Sequence, residues 1–191
     1  MKPTETPILP IETPILIIPG YGDSGPAHWQ SLWQARLPSA RRVQQRDWNL
    51  PLRDEWVAAL DAEIAACARP PVLVAHSLGC LAVVWWAALS SPSSGGRAIA
   101  GALLVAPPDL EEVLVDGVED AFTPLPRARL PFASIVVASR DDPYGELARA
   151  ERLAREWGAR FVDAGDAGHI NADAGFGEWP AGEALLADLL P

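Results

Sequence analysis

Cysteine, histidine and positive charge are all scarce in this 191-residue chain. Its two cysteines, Cys67 and Cys80, fall in apolar helical surroundings without metal-ligand spacing, so buried free thiols and a reducing compartment are expected. Lys and Arg number 15 against 25 Asp and Glu, a formal net charge of −10. Nucleic acid and anionic membrane surfaces would be repelled by that balance. No apolar run is long enough to span a bilayer, and prolines interrupt the opening MKPTETPILPIETP where a secretory signal needs continuous apolar sequence. A cytoplasmic location follows as an expectation, with residues 1–13 as a loose leading segment.

What is plentiful describes a globular chain with many turns: hydrophobic residues are 49%, charged residues 21%, and there are 15 Gly and 19 Pro. The length suits a single domain, 1–191, with a well-buried core. Short apolar runs rich in Ile and Val alternate with amphipathic stretches, the pattern of an α/β fold. About six strands are expected in a mostly parallel sheet with helices on both faces.

Strands are expected over residues 15–19, 42–46 (weak), 72–75, 99–105, 134–138 and 160–162. Helices are expected over 28–37, around Trp56 to Cys67, and over 78–89, 144–157 and 181–190. Residues 107–131, acidic and proline-rich, read as loops with one helical turn. That stretch is too short to form a large lid, so an open, shallow site is expected.

The segment Val72-Leu73-Val74-Ala75-His76-Ser77-Leu78-Gly79-Cys80 reads as strand, sharp turn and helix with a serine at the corner. This is the small-x-Ser-x-Gly nucleophile elbow with Ala75 in place of the first glycine. Ser77 could also be a plain helix N-cap. A nucleophilic serine needs a base, and the base needs an acceptor that fixes its tautomer.

Three histidines compete for the role of base. Strand alternation turns His76 away from Ser77 and makes it structural or pocket-lining. His28 precedes the serine, against the chain order of nucleophile, acid and then histidine. His169, between Gly168 and Ile170 in a loop after the last strand, is the best base. The acid is expected from Asp141-Asp142-Pro143, after the penultimate strand: Asp142 is favoured over an N-cap role, with Asp141 in reserve. Oxyanion-hole N–H groups are assigned to Leu78, directly after the serine, and to Tyr21 in the glycine-bearing loop after the first strand. Trp48, Phe122 and Tyr144 are the expected walls of the substrate site.

In these blocks the chain resembles the small serine hydrolases related to retinoblastoma-binding protein nine, a compact branch of the α/β-hydrolases. The likeness is carried by Ile18-Pro19-Gly20-Tyr21-Gly22 with His28-Trp29, by Asp47-Trp48, by Val74 to Cys80, by Ala138 to Tyr144, and by Gly168-His169-Ile170-Asn171. It implies that the aspartate directly before the proline, Asp142, is the acid, with Ser77 and His169 as nucleophile and base. It also implies a shortened α/β-hydrolase sheet that lacks the leading strands.

The expected activity is hydrolysis of a small carboxylic ester or related acyl compound through an acyl-enzyme. An amidase or thioesterase would use the same residues. A non-catalytic interaction module on the same fold is the competing class. No metal or organic cofactor is implied, because the triad supplies nucleophile and base and no ligand cluster is present.

Overall fold

The structure is a computed structural model, and it describes residues 13–90, 98–111 and 118–191. The expected loose segment thus lies outside the described residues apart from Thr13, which is buried.

Six strands of the described residues form one sheet in which every pairing is parallel. They are β1 (Ile15–Ile18), β2 (Ala40–Arg42), β3 (Val72–His76), β4 (Gly101–Val105), β5 (Ser134–Ala138) and β6 (Arg160–Asp163). Their spatial order is β2-β1-β3-β4-β5-β6, so β3 lies at the centre between β1 and β4. Among the described residues, six helices connect and flank them: α1 (Trp29–Arg36), α2 (Arg53–Ala65), α3 (Leu78–Leu89), the short α4 (Glu119–Phe122), α5 (Leu147–Trp157) and α6 (Pro180–Ala187).

Alternation along each strand explains why the apolar runs are unbroken. Leu16, Ile18, Leu73, Ala75, Ala102, Leu104 and Val136 face one layer, packed by α2, α3 and α5 through Leu60, Ile64, Leu81, Val84, Leu153 and Trp157. Ile15, Ile17, Val72, Val74, Leu103, Val105, Ile135 and Val137 face the other, closed by Trp29 and Trp33 of α1 and by Leu186 and Leu189 at the C-terminus. Helices therefore cover both faces, as the sequence pattern predicts. The helix α3 has no polar stripe because it sits against the central strand, with Leu78 through Val84 all buried.

Element edges moved in several places. The second strand is Ala40–Arg42 and not 42–46: Val43 N–H bonds to Ile17 O beyond the strand's last paired residue, and the chain then leaves the sheet edge. Helix α5 begins at Leu147 and not at residue 144, since Asp142 Oδ1 holds Tyr144 N–H in a turn and Glu146, the N-cap, is extended. The described part of 107–131 contains one helical turn, α4, and no large lid.

Candidate active site

Ser77 sits at the junction of β3 and α3 with φ 54° and ψ −126°, a conformation that L-residues rarely adopt and that costs about 1–3 kcal/mol. The fold holds it there: Ser77 N–H bonds to Val105 O (2.9 Å) and Cys80 N–H to Ser77 O (2.9 Å). Close approach explains the small residues around it. A Cβ at Gly79 would stand 2.3 Å from Ile18 O and 2.6 Å from Pro19 O. One at Gly20 would stand 2.8 Å from Ser77 Cβ and 3.2 Å from Leu78 N. The loop after β1 thus runs directly against the start of α3.

His169 Nε2 lies 2.9 Å from Ser77 Oγ, and His169 Nδ1 lies 2.9 Å from both carboxylate oxygens of Asp142. The His169 and Asp142 side chains are only 10% and 6% exposed. A carboxylate at Nδ1 places the imidazole proton there and leaves Nε2 as the acceptor for the serine hydroxyl.

The loop carrying His169 is anchored at four points. Asp141 Oδ1 accepts from Ala167 N–H (2.8 Å) and Gly168 N–H (2.7 Å), and Ser139 Oγ also accepts from Ala167 N–H (2.9 Å). His76 Nε2 donates to the carbonyl of His169 itself (2.8 Å), and Trp29 Nε1 donates to the carbonyl of Ile170 (2.8 Å). Donation from the Ser139 hydroxyl to Asp141 Oδ1 (2.6 Å), and then from the Gly168 and Ala167 N–H groups, holds the Asp141 carboxyl below its ordinary range. Asp141 is therefore a clamp on the loop, and Asp142 is the residue that reaches the imidazole.

All three histidines of the chain stand in one row. The His28 and His76 rings are 4.8 Å apart between centroids, as are those of His76 and His169. Burial lowers His28 to about 4, helped by Arg42 and His169, and burial likewise pushes His76 well below the usual imidazole range. Both are neutral at pH 7. The His76 ring, expected to be structural or pocket-lining, clamps the His169 carbonyl and borders the same cavity as Ser77.

That cavity, about 300 Å³, is lined by Ser77, His169 and Leu78 together with residues of two flanking loops. Tyr21, Asp23 and His28 come from the β1–α1 connection, and Pro108, Leu110 and Val118 from the β4–β5 connection. Tyr21 and Tyr144 stand exposed at its rim, with the Tyr144 ring 4.6 Å from that of His169. Of the expected walls only Tyr144 borders the cavity. Phe122 is fully buried in the core against Trp56, because α4 turns its apolar side toward α3. The Trp48 ring packs edge-on to Trp56, and its carbonyl accepts from Gly22 N–H of the site loop (3.0 Å). His28, Asp23, Pro108, Leu110, Val118 and Asn171 line the cavity without having been singled out as lining residues in the sequence; the pairing of His28 with Trp29 and the block ending in Asn171 are the signals that marked two of them.

Among the described residues, no cluster of three His, Cys, Asp or Glu could hold a metal ion, and no helix is long and apolar enough to cross a membrane.

The chain is similar to solved structures of the α/β-hydrolase fold. A protein described as a YdeN-like hydrolase from Pectobacterium atrosepticum is 36% identical, with a TM-score of 0.81 and 94% of each chain covered. The ydeN gene product of B. subtilis is 23% identical, with a TM-score of 0.76 over 93% of this chain and 98% of that one. The RedJ thioesterase of Streptomyces coelicolor, at 15% identity and a TM-score of 0.68 over 94% and 91%, shares the fold. No curated protein matches the chain. The family profile described as serine hydrolase matches residues 15–188, from the first residue of β1 to just past the end of α6, and the chain belongs to that family.

Proposed function

We propose that this protein hydrolyses a small carboxylic ester through an acyl-enzyme on Ser77, with His169 as general base and acid and Asp142 as the residue that fixes and stabilises the imidazole. The observation that carries this reading is the continuous hydrogen-bonded chain from Ser77 Oγ through both nitrogens of His169 to Asp142.

In the first half-reaction Ser77 Oγ attacks the ester carbonyl carbon and its proton passes to His169 Nε2. The imidazolium is stabilised by Asp142, which remains ionised. The new oxyanion accepts hydrogen bonds from the backbone N–H groups of Leu78 and Tyr21. Leu78 N opens α3, where the helix dipole also favours negative charge. Collapse of the tetrahedral species breaks the bond to the alcohol oxygen, and His169 Nε2–H protonates the departing alcohol. A water, deprotonated by His169, then attacks the acyl carbon and frees Ser77 and the carboxylic acid.

The cavity volume of about 300 Å³ is at the lower end for small-molecule sites and suits an ester of modest size. Hydrolysis of p-nitrophenyl butanoate by the wild-type protein and by Ser77→Ala tests the reading. Turnover that is lost in a variant with an unchanged circular dichroism spectrum supports it, and full turnover in that variant overturns it.

A further inference from the structure

The proposed hydrolysis uses His169 and explains His76 as a clamp, but it leaves His28 without a task. His28 is 6% exposed and caps α1: its Nδ1 accepts from Gln30 N–H (3.1 Å). An imidazole that accepts at Nδ1 and is neutral carries its one proton on Nε2. That Nε2 is buried and has no hydrogen-bond partner. Buried donors are nearly always satisfied, and leaving one unmade costs about 1–3 kcal/mol. A strand–helix junction that needs only a cap would be served by Ser, Asp or Asn with no orphaned group. Here the residue with the spare N–H also lines the cavity beside Ser77.

The cavity has two chemically different flanks. Strand β3 lies between β1 and β4, so the loops that follow those two strands stand on opposite sides of Ser77. Among the described residues, the β4 side supplies Pro108, Leu110 and Val118, all apolar. The β1 side supplies Gly20, Tyr21, Asp23 and His28. Among the described residues no Lys or Arg lines the cavity, and Asp23 is already paired with Arg42 (2.5 Å), outside the lining. The β1 flank therefore offers a neutral donor beside an already neutralised Asp23–Arg42 ion pair, which suits an uncharged acceptor.

We infer that His28 is a substrate-binding residue whose Nε2–H donates to an uncharged oxygen of the substrate, an ether, keto or hydroxyl oxygen, so that the substrates are small oxygenated esters with an apolar group on the β4 side. The inference rests on the ester-hydrolase reading above and adds the substrate class. A site built around a hydrogen-bond donor discriminates against a substrate that leaves the donor unpaired, whereas one methylene more or less in an apolar pocket matters much less.

The test compares isosteric esters that differ in one oxygen. On the acyl side these are p-nitrophenyl methoxyacetate and p-nitrophenyl butanoate; on the alcohol side, 2-methoxyethyl butanoate and butyl butanoate. Each kcat/KM is divided by the rate of alkaline hydrolysis to remove intrinsic reactivity. The wild type is expected to favour the oxygenated member of at least one pair by about tenfold, the size of one well-placed neutral hydrogen bond. His28→Asn retains an oxygen that can cap α1 and removes Nε2, and His28→Ser does the same with a shorter side chain. In either variant the preference is expected to collapse to within about twofold. A wild-type ratio near one in both pairs overturns the inference without any variant, as does a preference that survives in His28→Asn. Fluorophosphonate labelling of wild-type Ser77, measured alongside, separates the two levels: labelling with no oxygen preference removes only the role of His28, and absence of labelling removes the hydrolase reading beneath it.

Discussion

Asp141 and Asp142 are neighbours in the chain that serve the same histidine in different ways: Asp141 Oδ1 holds the backbone N–H groups of Ala167 and Gly168, while both oxygens of Asp142 meet His169 Nδ1 at 2.9 Å. One fixes where the loop lies, and the other fixes how the ring is oriented and where its proton sits. Proline 143 and the turn at Tyr144 N–H, which also bonds to Asp142 Oδ1 (2.9 Å), hold the carboxylate in that position.

The division of labour predicts different failures. Asp142→Asn keeps the shape but offers an amide to Nδ1, and kcat is expected to fall by about 10⁴-fold with little loss of stability. Asp141→Asn weakens a charge-assisted anchor of the loop and is expected to lower the melting temperature while reducing kcat far less. Steady-state kinetics beside thermal melts check this pair; a larger kcat loss in Asp141→Asn would reverse the two assignments.

Much of this arrangement is legible in the sequence because the elbow and the acid-bearing turn are local motifs. Gly79 and Ser77 are two residues apart and obey one steric constraint, and Asp142 precedes a proline that fixes the adjoining turn. The walls of the cavity are not legible in that way. They come from the loops after β1 and β4, which approach Ser77 only through the sheet order. Aromatic character alone suggested Phe122 and Trp48, whose rings instead satisfy the core around Trp56. The role of Asp141 needed the partners of residues 167 and 168, about 26 positions away in the chain.

Close approach at the elbow makes Gly79 a sensitive position. Gly79→Ala places a methyl group within 2.3 Å of Ile18 O and is expected to cost about 3 kcal/mol, or to prevent folding. Gly25→Ala, where an added Cβ has nothing within 4 Å, serves as the comparison and is expected to be within about 0.5 kcal/mol of wild type. Urea unfolding of the two variants checks the contrast, and equal midpoints would contradict the packing described for the elbow.

Core and rim aromatics should separate stability from activity. Phe122→Ala leaves a cavity beside Trp56 and is expected to cost about 3–5 kcal/mol in unfolding free energy. Tyr144→Ala, at an exposed rim position, is expected to change unfolding by less than about 1 kcal/mol and to act on KM through the lost ring face beside His169. Chemical unfolding and kinetics on the same samples check both, and a KM effect confined to Phe122→Ala would contradict the placement of the cavity.

The buried histidines predict acid sensitivity. His28 is lowered from 6.5 to about 4 and His76 is also lowered, so between those values the unfolded chain binds more protons than the folded one. Stability from this source is complete above about pH 6.5 and declines as pH falls toward 4, with His28 alone accounting for a loss on the order of 3 kcal/mol. His28→Asn should therefore lose less stability than wild type over the same interval. Unfolding free energies measured from pH 4 to 7 check this, and parallel curves for the two proteins would contradict the neutral, buried state of His28.

The most direct test of the central claim is intact-protein mass spectrometry after exposure to a fluorophosphonate. The account predicts one adduct on Ser77, absent in Ser77→Ala and formed more slowly in His169→Ala. No adduct on the folded wild-type protein, or one that persists in Ser77→Ala, would contradict an activated serine at the β3–α3 junction.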